Sequence, residues 1–266
     1  MRAIYLFGLL ILATTSFAQV KTDFNNTQSI TNQGKFMRNY SKSKLPYIIP
    51  SKDINALLEK EIGENKSGEA KPFKIAEAIP VDIDFVKEAE WTVEDGYAYG
   101  KFTIVAAGAK SISVNFDNFW LPKYSELYVY SANGEMITGP VTESENNIDN
   151  FWGSWVYKGG TLTVEIQIPL QSKGDLQLHI SSIAYGYKDL YVSNFGFASS
   201  CNVNVLCVSG WENEQNSVAL ILDGNSSALC SGALINNASN LNIPYLLTAN
   251  HCFDGNVANW KFTFQA

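Results

Sequence analysis

The chain has 266 residues, of which 46% are hydrophobic and 17% charged, and a formal net charge of −7. That length suits about two domains, and the apolar fraction excludes an intrinsically disordered chain. The acidic balance argues against a nucleic-acid partner, because affinity for phosphates rests on Lys and Arg.

The N-terminus reads as an export signal. Met1-Arg2 is a short positive region, and Ala3 to Thr14 is an apolar run too short for a comfortable membrane span. Ser16-Phe17-Ala18 then places small residues where a signal peptidase reads. Residues 1–18 are therefore expected to be a signal peptide, cut before Gln19. The mature protein is expected to be secreted, extracellular or periplasmic, with no membrane attachment and with its cysteines in an oxidising space.

Residues 19–72 read as a leader with a short helix and a linker. Ser51 is placed to cap a helix running to about Ile62, with Ile54, Leu57, Leu58 and Ile62 on one face and Gly63 as its stop. Gly63 to Pro72 is the linker.

From 73 to 188 the pattern changes to period two. Tyr97–Val105, Ser111–Phe116, Glu126–Tyr130, Thr161–Ile166 and Leu176–Ile180 each alternate, with turn residues such as Ala132-Asn133-Gly134 between them. This predicts an antiparallel β-sandwich. His179 falls on a polar face with Gln177 and Ser181. Trp91, Trp120, Trp152 and Trp155 fit either a sugar-stacking platform or ordinary core filling, and the second is the commoner use of aromatics in sandwiches.

Residues 189–199 read as a hinge or processing region, and 200–266 as a second β-rich piece. Strands are predicted at Val218–Leu222, Ala228–Ile235, Tyr245–Ala249 and Trp260–Phe264, with a turn at Asp223-Gly224-Asn225. All four cysteines, Cys201, Cys207, Cys230 and Cys252, lie in this last quarter. The concentration marks a boundary between two pieces with different stabilising strategies. His251-Cys252 is the one close pair of metal-type ligands, and adjacent residues on an extended chain point in opposite directions, so no metal site is expected. Cys230 and Cys252 lie in strands that can run side by side. A bridge between them closes a loop of about 22 residues, for roughly 3 kcal/mol of loop entropy.

Cys230–Asn237 (CSGALINN) and Pro244–Cys252 (PYLLTANHC) resemble trypsin-fold serine proteases around their catalytic histidine. Ser200–Cys207 (SCNVNVLC) resembles the mature start of secreted bacterial lysyl endopeptidases, and the preceding sandwich, ending in Ile183-Ala184-Tyr185-Gly186-Tyr187, is more loosely similar to their propeptide. The resemblance implies a Cys230–Cys252 bridge and His251 as the general base of Ser-His-Asp chemistry. It implies no cofactor and no metal. The implied partners are a peptide substrate in the full-length enzyme and a prodomain acting in cis.

The sequence departs from the family after His251. The catalytic-like part offers only Asp223 and Asp254 as aspartates, and no Gly-x-Ser-Gly-Gly segment occurs in the 266 residues. The expectation is an all-β chain: a sandwich prodomain followed by the incomplete first barrel of a trypsin-like protease, inactive by itself. Cys201 and Cys207 would lack the partners they have in that family, and would pair with each other or remain thiols. The alternative is a secreted sandwich that binds carbohydrate or protein, with a disulfide-stapled C-terminal appendage.

Overall fold

A computed structural model of the chain describes residues 22–24, 44–65, 71–190, 207–236, 238, 243–253 and 257–264. The expected signal peptide, Cys201, Asp254 and all of the hinge except Asp189 and Leu190 lie outside the described residues. In chain order the elements begin with β1 (Thr22–Phe24), β2 (Tyr47–Ile49), α1 (Ile54–Asn65), β3 (Phe73–Lys74), β4 (Ala76–Asp84), α2 (Phe85–Glu88), β5 (Glu90–Glu94) and β6 (Tyr97–Ala106). They continue with β7 (Ser111–Trp120), β8 (Glu126–Ser131), β9 (Met136–Val141), β10 (Trp152–Gly153), β11 (Tyr157–Lys158), β12 (Thr161–Pro169) and β13 (Gln177–Gly186). The C-terminal part holds α3 (Glu212–Ser217), β14 (Val218–Leu222), β15 (Ala228–Ile235), β16 (Tyr245–Thr248) and β17 (Lys261–Phe264).

The strands form three sheets. One runs β1-β9-β8-β12-β6-β2 with β5 also on β6, and a second runs β10-β7-β13-β4 with β11 also on β7. These two share one core. Leu162, Val164, Ile166 and Ile168 of β12 and Phe102 and Ile104 of β6 meet Ile112, Val114 and Phe116 of β7 and Ile180 and Ile183 of β13. Alternation puts every second residue of each strand on that face, and each large apolar side chain so buried contributes about 1.5–3 kcal/mol. Trp152 stacks on Phe119 at 5.5 Å in this core, and Trp155 packs into a different cluster. Trp91 donates its indole N–H to the Val86 carbonyl, while Trp120 is partly exposed. The four tryptophans do not converge on one platform.

The leader contributes more than an extended tail. β1 pairs with β9, and β2 runs parallel to β6. Helix α1 begins at Ile54, where the Asp53 carboxylate accepts the backbone N–H groups of Asn55 and Ala56, so Asp53 holds the start and Ser51 lies outside it. Gly63 does not stop the helix, which continues to Asn65. Glu61 on α1 pairs with Lys188 at 2.7 Å and accepts from the Tyr187 hydroxyl, while Lys188 Nζ sits 4.0 Å over the Phe73 ring. These contacts fasten the end of the sandwich to the start of β3.

The third sheet runs β16-β15-β14-β17, with β3 also on β15. It is open among the described residues, with no closed barrel. The β14–β15 turn is held by Asp223, whose carboxylate accepts from Ser227 N–H, Ala228 N–H at 2.9 Å and the Ser227 hydroxyl at 2.8 Å. Ile75, Ala76, Val156, Ala184, Leu222 and Leu229 form a buried cluster where this sheet meets the sandwich.

His179 on β13 is ion-paired on both sides, with Nδ1 2.6 Å from Asp117 of β7 and Nε2 2.7 Å from Asp82 of β4. Its pKa is raised, first by the hydrogen bond to Asp117 and then by that to Asp82. Asp82 is 98% exposed, so solvent screening keeps the gain to about 1 kcal/mol or less. A raised histidine pKa stabilises the fold fully below the unfolded value near 6.5, and the contribution fades as pH rises through the folded value. The difference in melting temperature between the wild type and His179→Gln should therefore be larger at pH 5.5 than at pH 9. A difference independent of pH would contradict this pairing.

Candidate active-site histidine

β15 is the central strand of the site. On one edge it pairs with β14, from Val218↔Ala233 to Leu222↔Leu229. Its other edge is divided. β16 covers Gly232 to Ile235, and β3 covers Ala228 and Leu229. Beyond Thr248 the chain leaves this edge in a 3-10 turn, Asn250–Cys252, closed by Cys252 N–H to the Ala249 carbonyl and Phe253 N–H to the Asn250 carbonyl. The Thr248 hydroxyl, donating to the Ser231 carbonyl at 2.8 Å, secures the last paired residue.

Cys230 and Cys252 are joined in a disulfide, with Cα atoms 6.0 Å apart. Cys252 is buried with Ile221 and Trp260, and Cys230 and Leu246 pack on the same cluster. The bridge anchors the turn in the sheet, while its neighbour His251 is exposed. A ring nitrogen of His251 lies within 4.8 Å of both sulfurs. These three residues converge as metal ligands would, but sulfurs spent in a disulfide offer no thiolate. What the arrangement provides is an accessible imidazole on a short, covalently fixed segment.

The other candidates are placed differently. Cys207 is an exposed free thiol. Asp223 is engaged in its turn and holds the hairpin. Cys201 and Asp254 lie outside the described residues, and among the described ones no carboxylate pairs with His251.

The pairing register gives the third sheet two unlike faces. Ile221, Cys230 and Phe262 are register partners on one face, and Leu222, Leu229 and Lys261 on the other. The first face carries the bridge and leaves Phe262 and Phe264 exposed. The second meets the sandwich. Sequence reading missed this second face: Lys261 points inward while Phe262 points out, the reverse of what polarity alone suggests.

Two comparisons bear on this arrangement. The family described as lysyl endopeptidase, C-terminal domain, matches residues 195–266. Lysyl endopeptidase of Pseudomonas aeruginosa is 29% identical over 184 aligned residues, covering 62% of this chain. The chain is related to lysyl endopeptidase. It spans 39% of the length of that curated lysyl endopeptidase. No solved structure matches. The segment matched by the lysyl endopeptidase family includes the bridge, His251 and Lys261.

The bridge closes 22 residues, worth roughly 3 kcal/mol on the loop-entropy estimate. Replacing both Cys230 and Cys252 by Ala should speed amide exchange in β15 and β16 by about a hundredfold. Exchange unchanged in those two strands would show that the bridge does not hold the turn.

Proposed function

We propose that this chain is the N-terminal portion of a secreted trypsin-like serine endopeptidase of lysyl endopeptidase type, with the sandwich as its prodomain. The observation that carries the proposal is the exposed imidazole of His251, pinned at a strand end by the Cys230–Cys252 bridge within the segment that the family matches.

In this reading His251 takes the proton from a serine hydroxyl as it attacks the scissile carbonyl. It then returns that proton to the leaving amine. Covalent fixation of the turn serves this role, because proton transfer depends on placing the ring to within a fraction of an ångström. The serine and the aspartate belong to the remainder of the catalytic domain, in keeping with the share of the relative that the chain spans. Exposed Phe253, Phe262 and Phe264 on the bridge side suit a surface which that remainder covers. Preference for lysine at the cleaved bond is carried over from the relative's name. Export follows from the signal-like residues 1–18, and no helix among the described residues is long and apolar enough to cross a membrane. The binding-module alternative loses its main support, since the tryptophans it needs are dispersed.

The test is hydrolysis of a lysyl peptide ester. The 266 residues alone should give no turnover above buffer. In the enzyme carrying the whole catalytic domain, His251→Ala should lower kcat by about 10⁴-fold or more, with the fold intact. Near-normal turnover by His251→Ala would refute the assignment.

A further inference from the structure

Among the described residues the contact between the sandwich and the third sheet joins an apolar cluster with main-chain bonds from the Ile75 and Ala76 N–H groups to the Ser227 carbonyl, and at one point it takes in a lysine. There Lys261 of β17 extends over Gly153 of β10, and its amino group donates to Asn115 Oδ1 of β7 and to Ser226 Oγ in the β14–β15 turn. The acceptors are themselves organised. The Ser226 hydroxyl donates to Asn115 Oδ1 at 3.0 Å, and Asn115 Nδ2 donates to Ser182 Oγ at 2.9 Å. Asn115 and Ser226 are both buried. The Phe151 ring centre lies 5.7 Å from the amino nitrogen. Lys261 as a whole is half-buried, with its amino group set between these two acceptors.

Gly153 forms the floor of this slot. A Cβ added there would overlap Lys261 Cε and Nζ, and would also come 2.7 Å from Asn115 Oδ1. The sandwich thus leaves out a side chain where the third sheet inserts one. This fit is directional, whereas the surrounding apolar contact is not. It is also an unusual place for a lysine, because its direct acceptors are neutral. Among the described residues Asp223 is the one charged group acting on it, and its carboxylate already holds the turn. From the sandwich side Asn115, Gly153 and Phe151 face it, and none is charged. Burial pulls the Lys261 pKa down to about 7, against the opposing pull of Asp223. A lysine whose pKa is depressed on docking takes up a proton when the pieces part. Docking therefore weakens as pH falls from the free value near 10.5 toward 7, and levels off below it.

We propose that the sandwich remains a bound partner of the third sheet after the backbone between them is cut, and that Lys261 in the Gly153–Asn115 slot fixes this docking and makes it release with acid. β3, already paired to the β15 edge beside Cys230, would leave with the sandwich. The inference rests on the prodomain reading, but its test reads association and not proteolysis, so either can fail alone.

The experiment places a site for a sequence-specific protease within residues 191–199 of the full chain, cuts it, and measures association of the two pieces at pH 9 and pH 6. For the wild type the pieces should co-elute at pH 9, and their dissociation constant should rise by roughly tenfold to a hundredfold at pH 6. Lys261→Met should remove most of this pH dependence. Gly153→Ala should weaken association at both pH values, with the melting of the isolated sandwich piece recorded to exclude misfolding. Lys261→Met with the wild-type pH dependence would overturn the proposal. So would wild-type pieces that separate at pH 9, or Gly153→Ala pieces that fold and bind as the wild type does.

Discussion

A single covalent tie governs the candidate site. The Cys230–Cys252 bridge joins the middle of β15 to a turn that has already left the sheet edge. Beyond Thr248 the strand pairing with β15 ends, and a short turn with two backbone hydrogen bonds would hold its orientation weakly. The bridge replaces the missing strand pairing with a bond. One end of the turn can then be buried against Ile221 and Trp260 while the adjacent residue, His251, stays in solvent. A catalytic base needs this combination of a fixed backbone and an accessible ring.

The same sheet separates its tasks by face. One side carries the bridge and an exposed aromatic surface, and the other side docks on the sandwich through Leu222, Leu229 and Lys261. β3 crosses between them, leaving the sandwich to occupy part of the β15 edge. An extended segment added to a sheet edge is also how many proteins bind peptides. The sandwich therefore lies against the face opposite the bridge while reaching the edge beside it.

Much of the fold could be read from side-chain alternation. β14 and β15 fall on their predicted residues, and β6, β8, β12 and β17 lie within a few residues of expectation, because each buries one face and exposes or pairs the other. β4 was missed because Pro80 interrupts it. It is tolerated on an edge strand, where β13 shifts register opposite it. β5 carried a signal that went unused: Asp95-Gly96, both with positive φ, forms a two-residue turn into β6. The short strands β1, β2 and β3 are fixed by main-chain pairing with distant strands, which local pattern cannot report. At the site, the TANHC motif pointed to His251 and its bridge. Lys261 was invisible, because its role depends on an absent side chain at Gly153, 108 positions earlier in the chain.

The most direct test of the site is a disulfide map of the purified protein, digested without reduction after free thiols are blocked. A peptide pair linked through Cys230 and Cys252 is the expected result. Recovery of Cys230 and Cys252 as blocked thiols, or either of them linked to Cys201 or Cys207, would contradict a bridge-anchored His251.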